Sequence, residues 1–203
     1  MSKNEAFSLS FLAKRVAVAT AMTSTTLCAL PARAEETEDL QLITRIASTA
    51  GRANADALKQ LEALQSGLPA ATSYTVRRAL ARALMESLYD AGRFKDLYSL
   101  CANLQKMAEV AGDKDTVLLT RIATTYELLD QDQPDLMVSA LEELRDKVAA
   151  SSEQDVQIAW RTAFMRAYNL RGNFDLALTH ALAILQLPEQ AGKDEVKPAY
   201  HVA

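Results

Sequence analysis

The sequence holds only two cysteines, Cys28 and Cys101. Cys28 lies in an N-terminal stretch read below as removed, which leaves Cys101 alone. One cysteine makes no internal disulfide, so the core alone must hold the fold. Histidine is equally scarce. His180 and His201 are the whole supply, and no cysteine or carboxylate pair at metal-ligand spacing joins them. The six glycines are scattered, mostly at helix ends, so no phosphate-cradling loop can form. Ser151-Ser152 reads as a helix cap with no identifiable base beside it, and Cys101 reads as a small core residue. A metal site, a cofactor and an enzyme active site are therefore not expected within this chain. Alternating strand patterns are missing as well, which excludes a β fold.

Long apolar runs are also rare, and the single candidate is N-terminal. Lys3, Lys14 and Arg15 precede an uncharged run from Val16 to Leu30, and Ala32-Arg33-Ala34 follows with small residues where a signal peptidase reads. That pattern predicts a secretory signal peptide over residues 1–34, cleaved after Ala34. A run of 15 residues with several Ser and Thr is too short and polar for a comfortable span. The protein is thus expected to be exported. No later stretch approaches 18 apolar residues.

Basic charge is in deficit. Residues 1–34 carry four of the 22 basic and one of the 26 acidic residues, so the remainder has 18 against 25, a formal charge of −7. Nucleic acid and anionic lipid surfaces both need a basic patch, and neither is an expected partner.

What the sequence does have is alanine, leucine and a period. Gly92, Asp132 and Gly172 are spaced by 40 residues, as are Phe94, Pro134 and Phe174, and Leu104, Leu144 and Ile184. A fixed period in this range marks stacked supersecondary units. Apolar stripes at spacings of three and four predict helices within each unit. Leu40, Ile43, Ile46 and Ala47 form one stripe, and Ala57, Leu58, Leu61 and Leu64 another. Val76, Leu80, Ala83, Leu84 and Leu88 pair with Leu97, Leu100, Cys101, Leu104 and Met107 across Gly92. Val117, Thr120, Ala123, Thr124 and Leu128 pair with a helix over 136–149, opened by Pro134. Val156, Trp160, Ala163, Phe164 and Tyr168 pair with Ala177, Leu178, Ala181 and Ile184. Ser73, Asp113 and Ser151-Ser152-Glu153 are the expected caps. The fold class is all-α, built of antiparallel helix pairs joined by short loops. Residues 35–51 are a degenerate lead-in helix and 52–192 the repeats. Val196, Ala199, Tyr200 and Ala203 repeat the register of Val156, Ala159, Trp160 and Ala163, which reads 193–203 as the start of a further, truncated repeat.

Each unit resembles a tetratricopeptide repeat. Tyr168, Gly172, Phe174 and Ala177 match that family's pattern best, and Leu88, Gly92, Phe94 and Leu97 match in part. The middle unit departs, with Asp132 for glycine and Pro134 for the aromatic, and the period of 40 exceeds the family's 34. The resemblance implies a right-handed αα superhelix whose concave face binds a protein or peptide. By register, that face carries Arg82, Glu86 and Tyr89, then Ile122, Tyr126 and Asp130, then Thr162, Arg166 and Asn169. Trp160, the only tryptophan, is read as core packing, with a groove aromatic as the alternative. The layout of a signal peptide followed by divergent repeats resembles the periplasmic sensory region of bacterial membrane-bound diguanylate cyclases. It implies a catalytic domain and membrane attachment beyond Ala203. The alternative is a free-standing periplasmic scaffold for assembling an envelope complex.

Overall fold

The computed structural model describes residues 29–49 and 55–187. The body of the predicted signal peptide, Gly51, His201 and the register match at 193–203 lie outside the described residues. What is described is all-helical, with no strand among the described residues. The helices are α1 (Ala29–Thr49), α2 (Ala55–Gly67), α3 (Tyr74–Asp90), α4 (Phe94–Ala111), α5 (Lys114–Thr124), α6 (Tyr126–Asp130), α7 (Pro134–Glu142), α8 (Arg145–Ala149), α9 (Gln154–Leu170) and α10 (Phe174–Leu185). Helix α1 begins at Ala29, so the predicted cleavage point after Ala34 falls within a helix of the uncleaved chain.

The 40-residue period is realised in the backbone. Gly92, Asp132 and Gly172 all take left-handed conformations, with φ of 67°, 57° and 73°. The next residue closes the same bond each time: Arg93 N–H donates to Leu88 O (2.9 Å), Gln133 N–H to Leu128 O (2.8 Å) and Asn173 N–H to Tyr168 O (2.9 Å). This six-to-one bond with a left-handed residue inside it satisfies carbonyls that a helix end would leave unpaired. Glycine suits the position because it carries no Cβ penalty at positive φ, and Asp132 fills the same place as a short polar side chain. Pro134 sits in the first turn of α7 as expected.

Two caps follow the sequence reading and one does not. Ser73 Oγ accepts from Val76 N–H (3.3 Å), and Asp113 Oδ1 accepts from Thr116 N–H (2.9 Å). Glu153 occupies the cap of α9 but makes no cap bond, because its carboxylate is committed elsewhere. Ser151 Oγ accepts from Glu153 N–H one step before the helix.

The middle unit is interrupted in both helices. Thr120, Thr124 and Thr125 each donate a hydroxyl to the carbonyl three residues back, at 2.7–2.9 Å. Such back-bonding competes with the helix ladder and bends it, and the break between α5 and α6 falls at Thr125. The break between α7 and α8 has a different source. Trp160 Nε1–H donates to Leu141 O (2.8 Å), and Leu144 N–H closes on the same carbonyl at 3.1 Å. A side chain inserted into the ladder is a known cause of a kink.

The units pack in order. Helix α3 packs on α1, α2 and α4; α5 packs on α4; α9 packs on α5, α7 and α10. The core falls into two clusters. One joins Ile43, Ile46, Leu58, Leu61, Val76, Leu80, Leu84, Leu88, Leu97 and Cys101. The other joins Leu118, Ile122, Met137, Leu141, Leu144, Val156, Trp160, Ala163 and Phe164. The α3 and α9 stripes lie where the period puts them. The α5 stripe does not, because α5 is packed from two sides. Its buried residues are Thr116, Leu118, Thr120 and Ile122. On α10 only Ala177 is buried, and Leu178, read as core, is 52% exposed.

Candidate functional site

Three helices, each the first of its pair, supply the candidate face: α3, the α5–α6 segment and α9. At their N-terminal ends they share a polar network. Tyr74 donates its hydroxyl to Asp113 Oδ2 (2.8 Å), and Arg78 Nε lies 3.0 Å from the same oxygen. Arg78 also donates to Thr116 Oγ1 (2.7 Å) and pairs with Glu153. Arg82 bridges Glu153 (3.1 Å) and Asp155 (2.7 Å). Desolvation acts to raise the Asp113 carboxyl. The Thr116 N–H, the Tyr74 and Thr116 hydroxyls and the Arg78 charge outweigh it and hold the group below the usual carboxylate range. Arg82, expected as a groove cation, is thus engaged in joining α3 to α9.

Further along the same helices, Tyr89, Tyr126 and Arg166 come together. Tyr89 and Tyr126 meet edge to face at 5.5 Å. The Arg166 guanidinium carbon lies 4.6 Å from the Tyr89 ring centre and 5.7 Å from that of Tyr126. That is cation–π range for both rings. Three residues selected separately by register therefore form one cluster from three units. The Arg166 side chain keeps an exposed surface, yet the protein around it displaces water, and that desolvation lowers its pKa. Glu86, one turn before Tyr89, is in the same position: its surface is accessible, and desolvation raises its carboxyl against the pull of Arg82.

The remaining candidates divide. Asp130 is exposed and accepts a hydrogen bond from the Tyr98 hydroxyl (2.6 Å); burial, and then this bond, push the phenol upward. Asp130 also lines a cavity of about 420 Å³ at the α3–α4 turn with Gly92, Arg93, Phe94, Lys95 and Asp96. Asn169 is exposed, and Thr162 is half-buried with an unpartnered hydroxyl. Ile122 is off the face: it is 1% exposed inside the second core cluster. Its register equals that of Arg82, but packing of α5 between α4 and α9 turns this position inward.

The groups weighed for chemistry are also placed. Cys101 is 0% exposed, and burial pushes its thiol up to about 12. A thiol held that high is not a nucleophile. Trp160 is 6% exposed and packs edge to face on Phe164 at 4.6 Å. His180 stacks on Phe164 at 4.7 Å with Nδ1 unpartnered. Desolvation first, then Arg161 and Arg145, lower its pKa against the opposing pull of Glu142. Among the described residues no group of three or more His, Cys, Asp or Glu is placed to hold a metal ion. Among them, too, no helix is long and apolar enough to cross a membrane.

The polar network was not named from the sequence, although a signal for it was present. Ser73, Asp113 and Glu153 stand 40 residues apart at the entries of α3, α5 and α9, the first helices of successive units. No protein-family model, curated protein or solved structure matches the chain.

Proposed function

We propose that this chain is a non-catalytic helical-repeat module, akin to a tetratricopeptide array with a right-handed αα superhelix, that binds a protein or peptide segment. The observation that carries the reading is the convergence of Tyr89, Tyr126 and Arg166, from three successive units, on one accessible face. Aromatic side chains and arginine supply most of the energy at protein interfaces, because they offer large contact area and fixed donor geometry. In this reading the signal-peptide pattern exports the chain to the periplasm, where it is the sensory part of a larger membrane-bound signalling protein such as a diguanylate cyclase. A ligand bound across three units favours one relative arrangement of them, and that bias passes along the stack.

Site-specific photo-crosslinking tests the reading. A photoreactive amino acid at Thr162 or Asn169 reports the candidate face, and one at Lys106 or Lys147 reports exposed positions on the second helices of their pairs. In cells that express the protein natively, a discrete crosslinked species is expected from Thr162 and Asn169 and not from Lys106 and Lys147. Equal crosslinking from all four positions would contradict the proposal.

A further inference from the structure

The stack is built of two bodies that meet at a seam. The first core cluster ends at Cys101 on α4, and the second begins at Leu118 on α5. Helices α4 and α5 pack closely, yet the buried side chains of α5 include Thr116 and Thr120. Among the described residues the buried polar side chains are these two and Thr125, so all of them lie on the segment that opens the second body. Their hydroxyls are satisfied within that segment: Thr116 donates to Asp113 Oδ2, Thr120 to Val117 O and Thr125 to Ile122 O, at 2.7–2.9 Å. A shift of one body against the other keeps these bonds, and a seam poor in apolar contact is where a stack opens at least cost. Units in such a stack ordinarily touch only their neighbours. Here side chains join α3 of the first body to α9 of the second at both ends, across the unit between them. At the N-terminal ends Arg78 and Arg82 pair with Glu153, and Arg82 also with Asp155 at 2.7 Å. At the far ends the Arg166 guanidinium carbon lies 4.6 Å from the Tyr89 ring centre. Glu153 stands at the cap position of α9 without a cap bond, its carboxylate held by the two arginines instead. A lone exposed ion pair contributes little, but these arginines and Glu153 are half-buried and form a network.

We propose that these contacts are a latch that holds the two bodies in a narrow arrangement across the candidate face, and that a bound segment enters by releasing it. Arg82, Tyr89 and Arg166 are all candidates of that face, and each is engaged with the opposite body. A segment that uses them competes with the latch, and its binding favours the open arrangement. The latch stands on the geometry; its gating of the face rests on the protein-binding reading above.

The test is a distance measurement by pulsed electron spin resonance on the 203-residue chain with Cys28→Ser. Spin labels are attached through Asp90→Cys and Asn169→Cys, exposed positions near the ends of α3 and α9. Cys101 is 0% exposed and stays unlabelled. The parent distance should be single and narrow. In Arg78→Gln with Arg82→Gln, and in Glu153→Ser, a second population is expected, longer by more than the roughly 1–2 Å that helices shift at a packed interface. Glu153→Ser separates release from unfolding. Residue 153 has extended backbone, and serine there is a strong cap, so α9 amides should exchange no faster than the parent's while the distance grows. Arg145→Gln removes an arginine paired with Glu142 inside the second body and should leave the distance unmoved. With a photoreactive amino acid at Thr162, partner crosslinking should rise at least about twofold in Glu153→Ser, because more of the chain is open. A single, parent-like distance in both latch variants would overturn the latch. So would faster α9 exchange in Glu153→Ser, which would show that Glu153 supports its own helix and not the join. The two readings fail separately. Crosslinks from Thr162 with an unmoved distance keep the protein-binding reading and remove the latch, and a lengthened distance with no crosslink does the reverse.

Discussion

Leu84→Asp is expected to unfold the first half of the stack. Leu84 is 1% exposed and belongs to the cluster that joins α1, α2, α3 and α4. A carboxylate there is either charged in an apolar site or protonated without a hydrogen-bond partner, and both forms are costly. The expected loss is at least about 4 kcal/mol, the size reached when a core acquires an unpaired charge. For a chain of this length each kcal/mol moves Tm by about 2–4 °C, so Tm falls by roughly 10 °C or more. Hydrogen exchange should localise the damage to residues 55–111, with α9 and α10 less affected, because a stack couples mainly nearest neighbours. A melt and exchange pattern identical to the parent's would show that α3 does not bury this stripe.

Trp160→Ala is the second large effect, and it falls on the other cluster. The indole is 6% exposed, packs on Phe164 and donates to Leu141 O. Truncation leaves a cavity and takes the indole donor from the Leu141 carbonyl, which keeps its bond from Leu144 N–H. Large aromatic-to-alanine changes in cores cost about 3–5 kcal/mol. Trp160→Phe separates the two contributions. It keeps most of the ring volume and removes the donor, so it is expected to cost about 1 kcal/mol. It should also relax the break between α7 and α8, visible as altered amide exchange over residues 141–145. Equal losses from both substitutions would show that the hydrogen bond, and not the packing, holds Trp160.

These two residues also mark what the sequence could and could not convey. Leu84 and Trp160 were legible because period and stripe agree: each sits on a helix whose buried face repeats every three or four residues. The turns at Gly92, Asp132 and Gly172 were legible for the same reason. Ile122 was misplaced because register carries position along a helix but not how many neighbours enclose it, and α5 is enclosed on two sides. The break between α7 and α8 depends on where a tryptophan 19 residues away finds its acceptor. The Arg78 and Arg82 pairs with Glu153 span 75 and 71 residues, a distance over which local pattern says nothing. Tyr89, Tyr126 and Arg166 were each selected, but that they touch is a property of how the units stack.

The claim on which the rest depends is that the 40-residue period is structural, with Asp132 standing where its counterparts are glycine. Paired substitutions at equivalent turns measure this most directly. A Cβ at Gly172 would meet nothing within 4 Å, so any cost of Gly172→Asp comes from the backbone at φ 73° and not from a clash. Left-handed backbone costs an L-residue about 1–2 kcal/mol, offset in part by glycine's greater entropy loss on folding. Gly172→Asp should therefore lower Tm by about 2–4 °C, and Asp132→Gly should raise it by a similar or smaller amount. Opposite signs at the two positions are the predicted result. An Asp132→Gly that lowers Tm would contradict the account, because Asp132 would then be held by contacts of its own and not by the place it occupies in the repeat.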